Sequence, residues 1–143
     1  MYKKEIKYED LNGNEIKETF TFHYNKKELT VMNLEIPGGL QGYIEKISNT
    51  QDVPELVKLF QKLILSAYGV PSDDGKRFIK VKDGHKLAED FEQTEAYSEL
   101  FMLLATDAKE AEKFINQCIP QSLVKEIEAE KRNASVSSIE SKN

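Results

Sequence analysis

Two hydrophobic periods divide this chain. From residue 2 to 11 and from 15 to 24, apolar and polar residues alternate. Tyr2, Ile6 and Tyr8 share one face of a first strand, and Ile16, Phe20, Phe22 and Tyr24 share one face of a second. Asp10-Leu11-Asn12-Gly13-Asn14 forms the turn between them, and its length decides which faces meet. A two-residue Asn-Gly loop pairs Leu11 with Asn14 and puts the two apolar sets on opposite sides. A three-residue loop, with Gly13 left-handed in a bulge, pairs Asp10 with Asn14 and Tyr8 with Ile16. Both apolar sets then share a face. The second arrangement is expected, with that face lying on helices, because a lone hairpin is barely stable.

After residue 25, steps of three and four take over. The strongest run is Asp52 to Gly69, where Leu56, Leu59, Phe60, Leu63, Ile64, Ala67 and Tyr68 line one helical face. Val57 and Leu65 widen the stripe, so this helix is expected to be touched from more than one side. Asp52 caps its start, with Pro54 and Glu55 in the first turn. Gly69 suits a left-handed residue after its end, and Pro71 forbids a restart. Asn25 caps a shorter helix over 26–34 with Glu28 at its third position, broken by Ile36-Pro37-Gly38-Gly39. Leu40, Tyr43, Ile44 and Ile47 predict another, ending near Ser48-Asn49-Thr50.

Pro71 to Gly75 reads as a turn. Lys76 to Val81 is either a short strand or an ordered loop, with Phe78 turned inward and Val81 a second candidate for the interior. Asp83-Gly84 turns into a short stripe of Leu87, Ala88 and Phe91. Thr94 either caps or merely continues into a helix carrying Tyr97, Leu100, Phe101 and Leu104. Thr106 or Asp107 starts the next, with Ala108, Ala111, Phe114, Ile115 and Cys118. Ile119-Pro120 breaks or restarts it, and Leu123, Val124 and Ile127 allow one more. The predicted fold is α+β: an N-terminal β-hairpin packed on a bundle of five or six short α-helices. It forms a single domain over 1–131, with the hairpin at 2–24 and the helical part at 26–131. The segment NASVSSIESKN has too little to bury, so 132–143 is expected to be a disordered tail.

Composition narrows the function classes. At 143 residues, one domain is expected. The 39% hydrophobic and 31% charged residues describe a folded chain with a wet surface. The opening MYKKEIKYED has no apolar core, so it is not expected to be a signal peptide, and no apolar run is long enough for a membrane partner. A single cysteine, Cys118, rules out an internal disulfide and fits a reducing cytoplasm. Net charge is −5, and the run from Leu87 to Phe114 sets eight acids against two bases, which repels a phosphate backbone. The four bases between Lys76 and Lys82 read as a solvated loop, so no nucleic-acid partner is expected.

No residue set specifies a reaction. His23 and His85 lack an acid or cysteine at ligand spacing, so no metal site is expected. Cys118 lies on the apolar face of its helix with no base supplied by a motif. Asp73-Asp74-Gly75 lacks the alternating oxygens and closing Glu of a calcium loop. Gly38-Gly39 lacks the Lys-Ser/Thr of a phosphate loop. Glu95 and Glu99 lie one turn apart, as many solvated pairs do. Catalytic, cofactor-binding and metal residues are therefore all expected to be absent. One feature exceeds what a core needs: Leu100 to Ala105 is apolar all round. Either that helix is buried on all sides, or part of it is a partner-binding surface made by Phe101, Met102 and Leu103. Methionine suits adaptable apolar recognition.

YKKEIKYEDLNGNE, SDDGKRFIK, FEQTEAYSELFMLLATD and FINQCIP, in that order over about residues 1–120, resemble tail assembly chaperones of long-tailed bacteriophages, especially those of Gram-positive hosts. The resemblance implies a non-enzymatic protein without a cofactor. Such a chaperone coats the long helical tape measure protein, keeps it soluble and recruits tail tube protein subunits. It acts in the host cytoplasm and is absent from the finished virion. Many such genes also yield a longer frameshifted product. Homo-oligomerisation stays open, and the segment after Pro120 goes beyond the resemblance. The competing reading is a structural virion protein, a head-tail connector or a tube-end component. A small enzyme would have to work with residues read here as core or turn.

Overall fold

The computed structural model describes residues 1–130; the expected tail over 132–143 lies outside them. In chain order the elements are β1 (Tyr2–Glu9), β2 (Glu15–Phe22), α1 (Lys26–Glu35), α2 (Gly39–Asn49), α3 (Val53–Ala67), β3 (Tyr68–Pro71), β4 (Phe78–Ile79), β5 (Val81–Lys82), β6 (His85–Lys86), α4 (Leu87–Glu92), α5 (Glu95–Thr106) and α6 (Ala108–Cys118). A further helix, α7, covers 121–130 of the described residues. They form two compact units. One holds Met1–His23 and Thr50–Cys118, the other Tyr24–Asn49 and, of the described residues, 119–130.

The first unit has the expected α+β character, a hairpin against short helices. Its turn is the three-residue loop. Asp10 N donates to Asn14 O at 2.9 Å, and Gly13 N donates to Asp10 O at 3.1 Å. Gly13 sits at φ 82°, where a side chain would be strained. Tyr8 accordingly faces Ile16, and Tyr2, Ile6, Phe20 and Phe22 are all buried.

The hairpin is half of a larger sheet. Its antiparallel order is β1-β2-β3-β4, with Thr21 facing Gly69 and Val70 facing Ile79. This corrects the role given to Gly69. The helix ends at Ala67, Tyr68 turns extended at φ −65° and ψ 138°, and Gly69 lies within β3 rather than in a left-handed cap. Glycine is required there for space. A Cβ would come 2.5 Å from the Phe78 ring and 2.6 Å from the Ile79 carbonyl oxygen. The Asp83-Gly84 pair, both at positive φ, joins β5 to β6 as a tight hairpin. Val81 stands on that hairpin 55% exposed, not inward.

The remaining helix signals match their local chemistry. Asp52 caps α3 by accepting from Glu55 N at 3.1 Å. Phe60, Leu63, Ile64 and Ala67 are its buried face, while Val57 and Leu65 are half-buried. The core of this unit is aromatic. Phe22, fully buried, lies within 5.6–6.0 Å of the Tyr2, Tyr68, Phe91 and Phe114 ring centres. Tyr68 stacks on Phe91 at 4.3 Å and 11°. Such ring pairs add to the area they bury.

The second unit is helical in its described part. Asn25 and Glu28 complete a reciprocal cap on α1: Glu28 N donates to Asn25 Oδ1 at 2.8 Å, and Asn25 N to Glu28 Oε1 at 2.9 Å. The buried Asn33 accepts from Leu40 N at 2.9 Å, which satisfies one amide in the first turn of α2. Pro120 accepts from Val124 N at 3.0 Å, so it restarts the chain into α7. Lys26 Nζ joins α1 to α7 through Glu126 at 2.9 Å and Glu130 at 3.1 Å.

Candidate functional site

The apolar excess of the sequence falls on α5. Thr94 caps it, accepting from Tyr97 N at 3.2 Å while its own hydroxyl donates to Phe91 O at 2.7 Å. Asp107 closes it through a bond from its N–H to Leu103 O at 2.9 Å. The same residue opens α6, its carboxylate accepting from Lys109 N at 3.1 Å and Glu110 N at 3.2 Å. One residue thus ends one helix and starts the next, which fixes the orientation of both.

Ala96, Tyr97, Leu100 and Leu104 form the buried stripe of α5. Phe101 and Leu103 flank it, half-buried, and the Phe101 ring lies 6.2 Å from Tyr97. Met102 is 56% exposed. Its neighbours one turn away along the helix surface, Ser98, Glu99, Ala105 and Thr106, are exposed as well. This helix is therefore not buried on all sides. Phe101, Met102 and Leu103 point about 100° apart around the axis, so the outer surface of α5 carries one exposed large apolar side chain, Met102, and Glu95, Glu99 and Asp107 are exposed acids.

The other chemistry-bearing residues have structural partners. Glu110 takes a hydrogen bond from the buried Tyr2 hydroxyl at 2.5 Å and lies 3.4 Å from Lys4 Nζ. The Tyr2 bond and, more weakly, the lysine hold its carboxyl below the usual range. Burial, reinforced by Glu110, pushes the Tyr2 hydroxyl well above the usual range. Cys118 is buried, its thiol lies 3.8 Å from Phe22 O, and burial pushes its pKa up to about 12, so almost no thiolate exists at neutral pH. His85 meets Asp90 at 3.0 Å on the surface, and that bond raises its pKa. The Asp74 carboxylate serves its own turn, accepting from the Ser72 hydroxyl at 2.6 Å and Lys76 N at 3.0 Å. Among the described residues no group of three or more His, Cys, Asp or Glu side chains is placed to hold a metal, and no helix is long and apolar enough to cross a membrane.

Sequence reasoning missed the His85–Asp90 and Tyr2–Glu110 contacts. The first spans β6 to α4 and the second 108 residues, and no spacing rule links such positions. A family model described as phage tail assembly chaperone matches residues 1–143. No curated protein and no solved structure matches the chain.

Proposed function

The chain belongs to the phage tail assembly chaperone family, and we propose that it binds the tape measure protein through the outer surface of α5 around Met102 and recruits tail tube subunits to it. The observation behind this reading is the exposed Met102 between half-buried Phe101 and Leu103. A long helical client with an apolar stripe needs an apolar docking strip that adapts to changing side chains, and a thioether supplies one. The exposed acids of this surface keep the carrier soluble and away from DNA. On this reading the protein works in the host cytoplasm, carries out no chemistry and leaves before the virion is complete.

The test is co-expression with the tape measure protein. That protein should stay soluble only when the chaperone is present, and pull-down should retain it. Met102→Gln should weaken the pull-down while leaving melting nearly unchanged, since surface substitutions cost within about 0.5 kcal/mol, and Leu103→Gln, at a half-buried position, should weaken it with a modest loss of melting temperature. Leu100→Ala, at a 1% exposed position, should instead cost about 2–5 kcal/mol and lower melting. A client equally soluble without the chaperone ends the functional reading. Unchanged client binding by both glutamine variants moves the surface elsewhere. Mass spectrometry of purified virions should not find the chain.

A further inference from the structure

β1 is an edge strand whose charges are ordered. The ladder with β2 runs from Tyr8–Ile16 to Tyr2–Phe22, and the bond from Asp10 N to Asn14 O sets its phase. Even-numbered residues of β1 therefore exchange hydrogen bonds with β2. On β2 the odd residues turn the other way, as Thr21 faces Gly69 and His23 N donates to Ala67 O at 2.9 Å. The backbone N–H and C=O groups of Lys3, Glu5, Lys7 and Glu9 consequently point away from the sheet. No strand follows β1 on that side among the described residues, and all four side chains are exposed.

Charge on an edge commonly guards against association. Here its order is self-complementary. Placed antiparallel to itself with Ile6 on a two-fold axis, β1 sets Lys3 opposite Glu9 and Glu5 opposite Lys7 of a second copy, so every facing edge pair is of opposite sign. Sliding by two residues one way sets Lys3 against Lys7 and Glu5 against Glu5. Sliding two residues the other way sets Glu5 against Glu9 and Lys7 against Lys7. A one-residue slip brings outward-pointing groups against inward-pointing ones and breaks the ladder. Within the hairpin Lys7 directly faces Lys17 and Glu9 faces Glu15, and diagonal ion pairs, Lys7–Glu15 at 2.7 Å and Glu5–Lys17 at 3.6 Å, offset that conflict between exposed side chains.

We propose that β1 is a self-complementary edge on which a second copy of this chain docks antiparallel, giving a homodimer with one continuous eight-stranded sheet. The axis stands perpendicular to the sheet, so the buried faces of both copies, and the α5 helices packed on them, lie on one side. This goes beyond the client-binding reading and does not depend on it.

Sedimentation of the full chain at low salt, without tape measure protein, should show a reversible monomer–dimer equilibrium as concentration rises. Glu5→Lys puts Lys against Lys at two facing pairs and should weaken association about tenfold. Lys7→Glu puts Glu against Glu and should do the same. The double variant Glu5→Lys/Lys7→Glu restores opposite signs and should recover most of the dimer, and the melting of all three variants checks that they fold. By amide exchange, Lys3, Glu5, Lys7 and Glu9 should become protected as concentration rises. A monomer at every concentration, single variants that dimerise normally, or a double variant as weak as the singles overturns the proposal. Edge protection that ignores concentration, or that appears only with tape measure protein, overturns it too.

Discussion

Tyr2→Phe removes one oxygen from the core and isolates the worth of a single buried contact. The Tyr2 ring is fully buried against Phe22 and Phe114, at 6.0 and 5.0 Å, and phenylalanine keeps both contacts. What disappears is the hydroxyl donating to Glu110 at 2.5 Å. Glu110 is 16% exposed, so its carboxylate loses a charge-assisted bond that water replaces only in part. A bond to a charged group contributes about 1.5–3 kcal/mol, which for a chain of this length lowers melting by roughly 5–10 °C at neutral pH. The Glu110 pKa is lowered in the folded state, so its contribution is fully present above the unfolded carboxyl pKa. It is lost as pH falls through the lower, folded value. Acid should therefore destabilise the native protein more than the variant, and the gap between them should shrink toward that of a neutral hydrogen bond, about 1 kcal/mol. Urea melts of both proteins at neutral pH and in acid measure it. A gap that stays constant with pH, or widens in acid, would refute the assignment of Glu110 as the ionised partner.

Gly69→Ala should cost at least about 2 kcal/mol in a denaturant melt, because its methyl would meet both the Phe78 ring and a carbonyl oxygen that belongs to the backbone. Asn25→Ala removes one side of the reciprocal cap on α1 and should cost about 1 kcal/mol by the same measurement. Cys118, with its thiol pushed up to about 12, should resist iodoacetamide in the native protein at mildly alkaline pH and react promptly in denaturant. Rapid native alkylation would contradict its buried position.

The candidate surface was legible in the sequence only as an excess. Leu100 to Ala105 carries more apolar residues than one stripe uses, and that much follows from counting helical positions. Which side chains form the surplus depends on what covers the helix. Spacing sets Leu100 on the stripe and Met102 about 200° away around the axis; that Met102 is exposed rather than covered by another element was decided by the packing of α5 against the rest of its unit.

Features closed within a few residues belonged to the sequence itself. The parity of the loop at Asp10 to Asn14 set the hairpin faces, because a period of two keeps Tyr8 and Ile16 on one face only when the loop holds an odd number of residues, which excludes the two-residue turn. The caps at Asn25 and Asp52 followed from side chains three residues from the amides they accept. The second half of the sheet had no such signal. β3 has four residues and β4 two, too short for any period, and Tyr68 continues the apolar stripe of α3 by spacing. Its departure from that helix was decided by partners far along the chain: the ladder to Thr21, whose hydroxyl donates to Gly69 O at 2.6 Å, and the Phe91 ring on which Tyr68 stacks. Tertiary hydrogen bonds and aromatic packing outweighed a local helical preference of a few tenths of a kcal/mol per residue, on the order that propensity supplies, and that balance exists only once the chain has folded.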